Sequence, residues 1–208
     1  MGIRIGIIPA AGSATRYGGV LKELLPVDSD MVMMDYAVKA MKRGGCEQIV
    51  CVTSTRKIAQ IADRFPHLLY TIQIAGQDIW GAIRAGLMVE ADEYCFAMPD
   101  TVVPEDVFDR DVISPFMLGC FNTNLPERFG MVRDGYIVNK RPGEAGKAWG
   151  TLMWSKYTRD WWLDYGDVSS YTNAINLAMS TLGYNIYDLG FYHDIASFED
   201  YRSLLCIE

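Results

Sequence analysis

A short apolar run followed at once by a loop of small residues constrains the fold of this chain most. Residues 5–8 read IGII, which is typical of a short strand buried on both faces. Pro9 has no N–H to donate to a neighbouring strand, so we expect the strand to end there. In the loop at 10–16, Gly12 can adopt backbone angles that a Cβ forbids. Several backbone N–H groups can then face one concave space, which is an anion-binding nest.

Two cations accompany this loop. Arg16 carries a permanent charge and a forked set of donors, and Lys22, six residues later, adds a compact charge. Together they predict a cradle for a triphosphate or a pyrophosphate directly after the first strand. A small-residue turn that binds nothing explains the same residues, and the spacing alone leaves both interpretations open. The patterns GxxxxGK[ST] and GxGxxG do not occur here, which argues against a P-loop kinase and against a dinucleotide-binding fold.

Composition narrows the class of protein further. The chain has 208 residues, which is long enough for one well-formed core. Of these residues 50% are hydrophobic and 22% are charged, an ordinary composition for a globular protein. Its net charge of −7, without any block rich in lysine or arginine, argues against nucleic acid as a partner. The longest apolar run falls far short of the roughly 20 residues that a membrane span needs, and we expect no signal peptide and no membrane partner. Five scattered cysteines without a CxxC pair indicate reduced thiols and a cytoplasmic protein.

Strands alternate with helices through the first half of the chain. The predicted strands cover 5–8, 48–53, 68–74 and 94–98, and the predicted helices cover 35–43, 56–65 and 79–91. This alternation predicts an α/β fold with a mainly parallel sheet and helices on both faces. Ligands in such sheets bind outside the carboxyl ends of the strands. The loop at Gly12 and the turn at Pro99 and Asp100 both lie at such ends, so we expect them to converge on one edge.

The second half is more antiparallel and more aromatic. We predict strands at 116–121, 149–154 and 187–192, and helices at 157–165, 170–182 and 197–205. A hairpin at 131–138 turns at Asp134 and Gly135, because an Asp-Gly pair favours this kind of turn. Ser197 and Asp200 form the start signal of the last helix. No linker interrupts the pattern, so we expect a single domain over 1–208, with a nucleotide-binding part at roughly 1–114 and a substrate-binding part at 115–208.

The loop and its continuation, PAAGSATR followed by KELLPV, resemble the signature AGxGTR…PKxxLPV of the sugar-1-phosphate nucleotidyltransferases. The similarity is strongest to the glucose-1-phosphate uridylyl- and thymidylyltransferases. Ala14 replaces the second glycine of the signature, and Leu21 and Lys22 replace its Pro-Lys pair. The segments MPDTVV, with Asp100, and GFYHDIASFEDY, with Asp194, resemble the two metal-ligand motifs of the family. Taken alone, each aspartate also fits an ordinary turn or loop.

Several shorter segments also match the family, and along the chain they occur in the same order as in the family. NKRP resembles an EKP motif whose lysine approaches the sugar phosphate, with Asn139 in place of the glutamate that binds sugar hydroxyls. RFGMV resembles a segment whose glycine, here Gly130, faces the sugar, although a strand glycine also marks a bulge. Trp149 and Gly150 match a second sugar-facing glycine. Gln77 and Gly81 stand where the family reads a pyrimidine base, and Gln73 is a rival to Gln77 for that role.

The resemblance implies a Rossmann-like three-layer α/β/α nucleotidyltransferase fold with a mixed, mainly parallel sheet. It implies an enzyme that joins a nucleoside triphosphate, UTP or dTTP, to a sugar-1-phosphate with Mg²⁺, giving an NDP-sugar and pyrophosphate. The implied catalytic residues are Arg16, Lys22, Asp100 and Lys140, and the implied metal ligands are Asp100 and Asp194. The implied nucleotide-binding residues are Ala10, Ala11, Gly12, Ser13, Ala14, Thr15, Arg16, Gln77, Gly81 and Asp100. The implied substrate-binding residues are Gly130, Asn139, Lys140 and Gly150.

Two other functions remain open at this point. One is a cytidylyltransferase that acts on a non-sugar phosphate, which the replacement at Asn139 motivates. The other is a catalytically weak nucleotide-binding or regulatory protein, which the replacements at Ala14 and Asn139 motivate together. The sequence also leaves the oligomeric state open, a homo-oligomer included.

Overall fold

A central β-sheet with α-helices on both faces forms the part of the chain that the computed structural model describes, residues 2–12, 18, 20–73, 78–164, 168 and 170–206. The strands are β1 (Arg4–Pro9), β2 (Gln48–Thr53), β3 (Leu69–Ile72), β4 (Glu93–Phe96), β5 (Thr101–Val102), β6 (Phe116–Thr123), β7 (Met131–Arg133), β8 (Tyr136–Val138), β9 (Gly146–Ser155), β10 (Asn185–Asp188) and β11 (His193–Asp194). The helices are α1 (Met34–Arg43), α2 (Ile58–Arg64), α3 (Ile79–Gly86), α4 (Lys156–Asp164), α5 (Tyr171–Leu182) and α6 (Phe198–Leu205).

The main sheet has the strand order β10-β6-β9-β4-β1-β2-β3. Within this order β9 runs antiparallel to both of its neighbours, β4 and β6, while the pairs β10–β6, β4–β1, β1–β2 and β2–β3 are parallel. The hairpin of β7 and β8 joins the sheet through β9. The expected mixed, mainly parallel α/β sheet is therefore confirmed.

Side chains that alternate along β1 separate the core into two layers. Ile8 packs in a cluster that contains residues of α1 and α2, whereas Ile5 and Ile7 pack in a cluster with residues of α3, α4 and α5. Because successive side chains of a strand point to opposite faces, both faces of the sheet are covered by helices. The result is the expected three-layer α/β/α arrangement.

Local signals in the sequence explain the turn and the last helix. Asp134 and Gly135 have φ angles of 50° and 80°, the pair of left-handed conformations that an Asp-Gly hairpin turn requires. The Ser197 side chain accepts a hydrogen bond from the backbone N–H of Asp200, and the Asp200 carboxylate accepts one from the backbone N–H of Ser197. The predicted hairpin turn and helix start are both confirmed.

Two predicted elements differ clearly in extent from the structure, besides smaller shifts at the ends of others. Helix α3 ends at Gly86 rather than at residue 91, because the chain turns after Leu87, whose carbonyl oxygen accepts a hydrogen bond from Arg159 at 3.0 Å. The predicted strand at 187–192 is interrupted by Gly190, whose φ of 72° breaks the extended backbone. Strand β10 therefore ends at Asp188, and β11 begins only at His193 and pairs with β5 instead.

The five cysteines differ in their exposure to solvent. Cys46, Cys51, Cys95 and Cys120 are buried with free thiols, as expected for core cysteines, whereas Cys206 is exposed. Among the helices that the structure describes, none combines the length and the apolar character that crossing a membrane would require.

Candidate active site

A cleft of about 270 Å³ opens at the carboxyl ends of β1 and β4. These two strands are parallel neighbours, so the loops that follow them emerge side by side. The described residues that line the cleft are Pro9, Ala10, Gly12, Lys22, Glu23, Lys57, Met98, Pro99, Asp100, Lys140, Asp194 and Ala196. The expected convergence of the small-residue loop with the turn at Asp100 is confirmed.

A two-stranded ladder brings the two predicted metal-ligand residues together. Strand β5 begins directly after Asp100 and pairs antiparallel with β11, which ends at Asp194, and Thr101 lies opposite Asp194 in the register. The backbone N–H of Ile195 donates to the carbonyl oxygen of Asp100 at 3.0 Å. Two carboxylates that are 94 residues apart in sequence therefore line one cleft.

The two carboxylates interact electrostatically. Burial raises the pKa of Asp194, the negative charge of Asp100 raises it further, and Arg128 opposes both effects. Asp100 accepts a hydrogen bond from the Lys22 ammonium at 3.0 Å, and the same ammonium donates to the carbonyl oxygen of Ile195 at 3.1 Å. Lys22 thus contacts the segments of both aspartates.

The turn that carries Lys22 is anchored in the core. Lys22 opens a short 3-10 helix, Lys22–Leu24, which the sequence reading did not predict. Leu25 follows and packs in a small cluster with Met33, Val102 and Ile195. This cluster lies against the β5–β11 ladder, so the packing that holds the turn also holds the strands beside the aspartates.

A buried ion pair, Lys57 with Glu23, lies at the wall of the cleft. The Lys57 ammonium donates to the Glu23 carboxylate at 2.6 Å and to the carbonyl oxygen of Ala10 at 3.2 Å. The two side chains are only 8% and 4% exposed. The pair therefore ties the turn after Lys22 to the first residue of the small-residue loop. Sequence reasoning missed both residues, although a glutamate directly before two leucines in KELL was a signal for a buried, partnered charge.

Lys140 reaches the cleft from the hairpin of β7 and β8. Helix α5 fixes that hairpin, because the Asn176 side chain accepts from the backbone N–H of Ile137 at 2.6 Å and donates to its carbonyl oxygen at 2.8 Å. One turn earlier on α5, Thr172 donates to Asn139 Oδ1 at 2.7 Å. The amide oxygen of Asn139 is thus already engaged by the protein.

Several predicted residues lie elsewhere or outside the described part. The roles predicted for five residues stay predictions, because these residues lie outside the described ranges: Ser13, Ala14, Thr15, Arg16 and Gln77. Gly81 is buried within α3, and neither it nor Ala11 is among the residues that line the cleft. Gln73, the rival base-reading residue, donates through its side chain to the carbonyl oxygen of Asp78 at 2.7 Å.

Packing accounts for the two glycines predicted to face the sugar. A Cβ at Gly130 would lie 2.4 Å from Trp149 Nε1, and a Cβ at Gly150 would lie 2.5 Å from the ring of Tyr192. Both positions therefore exclude a larger side chain for reasons internal to the fold. Neither glycine is among the described residues that line the cleft.

The carboxylate pair has the chemistry of a partial magnesium site. Mg²⁺ is usually held by one or two carboxylates together with water and substrate phosphates rather than by a complete protein cage. Within the described ranges, no group of three or more histidine, cysteine, aspartate or glutamate side chains could hold a metal ion. Asp100 and Asp194 fit a divalent cation whose remaining ligands come from a phosphate, because the cation would offset their mutual repulsion.

The fold is that of a nucleotidyltransferase, as three solved structures show. A glucose-1-phosphate thymidylyltransferase from Bacillus anthracis, in complex with a sucrose, superposes with a TM-score of 0.84 at 16% identity, over 98% of this chain and 94% of that one. The inositol-1-phosphate CTP transferase from T. maritima gives 0.73 at 17% identity, over 98% and 95%. A UTP-bound UGPase from Acinetobacter baumannii gives 0.77 at 17% identity, over 98% and 92%.

The family follows from a match in sequence. Residues 6–110 match the family described as the MobA-like NTP transferase domain, and the chain belongs to that family. The resemblance to the sugar-1-phosphate nucleotidyltransferases is thereby confirmed at the level of family and fold. A comparison with curated protein sequences finds no significant match.

Proposed function

We propose that this chain transfers a nucleotidyl group from UTP or dTTP to a sugar-1-phosphate, with Mg²⁺, giving an NDP-sugar and pyrophosphate. The observation that carries the proposal is the meeting of Lys22, Asp100, Lys140 and Asp194 in the one cleft that begins at the small-residue loop. The two lysines can bring two phosphate groups together, and the two aspartates can hold a metal ion.

The reaction needs positioning and charge neutralisation more than proton transfer. An oxygen of the acceptor phosphate attacks the α-phosphorus and forms the new P–O bond, while the bond to the β-phosphate breaks and pyrophosphate leaves with the electron pair. The attacking oxygen is already anionic at neutral pH, so no histidine base is required. Holding two anions in this geometry lowers the barrier through orientation and electrostatic stabilisation.

Each residue has a role in this proposal. Lys22 neutralises charge at the α-phosphate, Lys140 orients the acceptor phosphate, and Arg16, with the backbone N–H groups of the loop, binds the leaving pyrophosphate. Asp100 and Asp194 would hold Mg²⁺, which when bound supplies positive charge to the phosphate oxygens. Glu23 and Lys57 keep the start of the loop and the Lys22 turn in fixed positions relative to each other.

A second acceptor class has its own support. The amide oxygen of Asn139, which replaces the sugar-binding glutamate of the resembled family, is engaged by Thr172. A residue held in this way is less suited to accept hydrogen bonds from sugar hydroxyls. A cytidylyltransferase that acts on a phosphorylated non-sugar alcohol is therefore our second candidate.

The proposal also covers the roles of the two halves of the chain, the location of the enzyme and its partners. We propose that 1–114 binds the nucleotide and 115–208 binds the acceptor within one domain, since β9 inserts between β4 and β6 and joins both parts in one sheet. We also propose a cytoplasmic enzyme of carbohydrate biosynthesis whose partners are small molecules rather than nucleic acid or membranes.

The test is pyrophosphate release with Mg²⁺ across ATP, GTP, CTP, UTP and dTTP. Each nucleotide is paired with sugar-1-phosphates, inositol-1-phosphate and phosphorylated amino alcohols. We expect UTP or dTTP with a sugar-1-phosphate to give the highest rate. CTP with a non-sugar acceptor would favour the second candidate. Nucleotides that raise the melting temperature without any release of pyrophosphate would contradict both.

Two aspartate variants provide the matched comparison. Asp100→Asn should lower kcat by roughly two to three orders of magnitude, the loss typical of removing one preorganised charge from an active site. Asp109→Asn changes an aspartate that is 62% exposed and paired with Arg43 outside the cleft, and it should leave the rate unchanged. Equal rates for the two variants would show that Asp100 has no role in catalysis.

A further inference from the structure

Arg128 joins three segments of the chain beside the cleft. Its Nη2 donates to the main-chain oxygen of Asp194 at 2.8 Å and to Asp194 Oδ2 at 3.3 Å. The same guanidinium forms a fork with Asp200, with distances of 2.9 Å to Oδ1 and 3.0 Å to Oδ2. A residue between β6 and β7 therefore links the end of β11 to the first turn of α6.

Asp200 is itself held rigidly. Its Oδ2 accepts hydrogen bonds from the backbone N–H groups of Ala196 and Ser197 at 3.0 and 2.8 Å, and from the Ser197 hydroxyl at 2.8 Å. Because these contacts form the capping box of α6, the position of Asp200 follows the helix. A chain of hydrogen bonds therefore connects α6 through Arg128 to Asp194.

The contacts of Arg128 leave one oxygen of Asp194 for another ligand. Arg128 donates to the main-chain oxygen and to Oδ2, and among the described residues no donor forms a hydrogen bond with Oδ1. The side chains of Arg128 and Asp194 are 26% and 20% exposed, so their interaction is partly shielded from water. Carboxylates that bind metals are usually oriented by such outer contacts, whose loss typically lowers metal affinity about 10- to 100-fold.

We propose that Arg128 is a positioning residue that orients Asp194 for a divalent cation. This inference rests on the proposed function, which makes Asp194 a metal ligand. In this proposal Arg128 acts through Asp194, since it is not itself among the described residues that line the cleft. It forms, with Asp200, a second layer of the site; Arg128 opens the RFGMV segment of the resemblance, but the resemblance gave the arginine no role.

The expected sign of the effect follows from two opposing contributions. Removing Arg128 takes a positive charge away from Asp194, which favours a bound cation, but it also releases the carboxylate, which disfavours one. The shorter contact, 2.8 Å, is to the main-chain oxygen rather than to the carboxylate, and the fork with Asp200 offsets much of the positive charge. Loss of orientation therefore dominates, and the affinity for the cation falls.

The experiment measures Mn²⁺ binding to the full chain by electron paramagnetic resonance, which detects free Mn²⁺, with and without UTP. Arg128→Met should raise the Mn²⁺ dissociation constant about 10- to 100-fold, the usual cost of losing an outer contact to a metal ligand. Arg128→Lys should recover part of the affinity, because an ammonium can reach the main-chain oxygen but cannot form the fork. Arg43→Met, which removes a half-exposed arginine paired with Asp109 at 3.9 Å, is the control and should bind as the unsubstituted chain does.

The outcomes separate this inference from the proposed function. Unchanged or tighter Mn²⁺ binding by a folded Arg128→Met variant overturns the inference, as does a lack of Mn²⁺ binding by the unsubstituted chain. If Arg128→Met does not fold, Asp200→Asn decides, since it keeps the arginine and breaks the fork. We expect a severalfold loss of affinity in that variant, and an unchanged affinity refutes the role. Weakened Mn²⁺ binding in a chain that releases no pyrophosphate supports the inference while the transferase function fails.

Discussion

Replacing Lys57 should destabilise this protein strongly. The Lys57 and Glu23 side chains, 8% and 4% exposed, form an ion pair at 2.6 Å. Lys57→Met leaves the Glu23 carboxylate buried without its partner, which typically costs about 3–5 kcal/mol. The variant also loses the hydrogen bond to Ala10, worth about 1 kcal/mol in other proteins. We therefore expect a loss of at least about 3 kcal/mol, a large share of the roughly 5–15 kcal/mol that such domains possess.

A double-mutant cycle measures the interaction directly. The free energies of unfolding of Lys57→Met, Glu23→Leu and the double variant are obtained from urea denaturation by linear extrapolation. Replacing both charges by apolar side chains of similar size removes the uncompensated carboxylate, so the double variant should regain most of the stability. A loss below about 1 kcal/mol in Lys57→Met, together with additive effects in the double variant, would refute the reasoning.

The same cycle separates stability from nucleotide binding. In the double variant no cation holds the carbonyl oxygen of Ala10, so the start of the loop loses one of its contacts, although the backbone N–H of Ala10 still donates to Val52. We expect its KM for the nucleotide to stay raised although its stability recovers. A KM equal to that of the unsubstituted chain would show that the pair serves the fold alone.

Three further predictions concern the metal, the packing and the thiols. Chelation of divalent cations with EDTA should abolish pyrophosphate release, and added Mg²⁺ should restore it; activity that survives dialysis against EDTA would contradict the metal role. Gly86→Ala should destabilise the protein by about 1–3 kcal/mol in urea, because the added Cβ would lie 2.5 Å from Ile7 Cδ1; a gain, as helix propensity alone predicts, would show that β1 and α3 can separate slightly. At pH 8 a thiol reagent should modify one cysteine, Cys206, in the native protein and all five in denaturant. The reason is that the other four are buried, and burial raises the pKa of the Cys51 and Cys120 thiols to about 12; rapid modification of a second thiol would contradict that burial.

Periodicity and turn chemistry carried most of the fold prediction. The alternation of apolar strands with amphipathic helices predicted a mainly parallel sheet, and strand β2 has the predicted bounds, Gln48–Thr53. Gly and Asp signals placed the hairpin turn at Asp134 correctly. These features depend on neighbours within a few residues, which is why a sequence reveals them. The wrong bounds of α3 and β10 arose where a long-range contact or a single glycine turn overrode the local pattern.

The sequence also supplied candidates for the site: the small-residue loop, Lys22, Asp100, Lys140 and Asp194. It placed the loop and the turn at Asp100 at one edge of the sheet. Which side chains engage one another was decided by the tertiary structure. The β5–β11 ladder sets Asp100 beside Asp194, and the buried pair of Glu23 and Lys57 joins two loops. Arg128 holds Asp194 from a segment 66 residues away. Such contacts depend on the paths of several loops at once and on which charged side chains become buried. Neither can be read from a local pattern in the sequence.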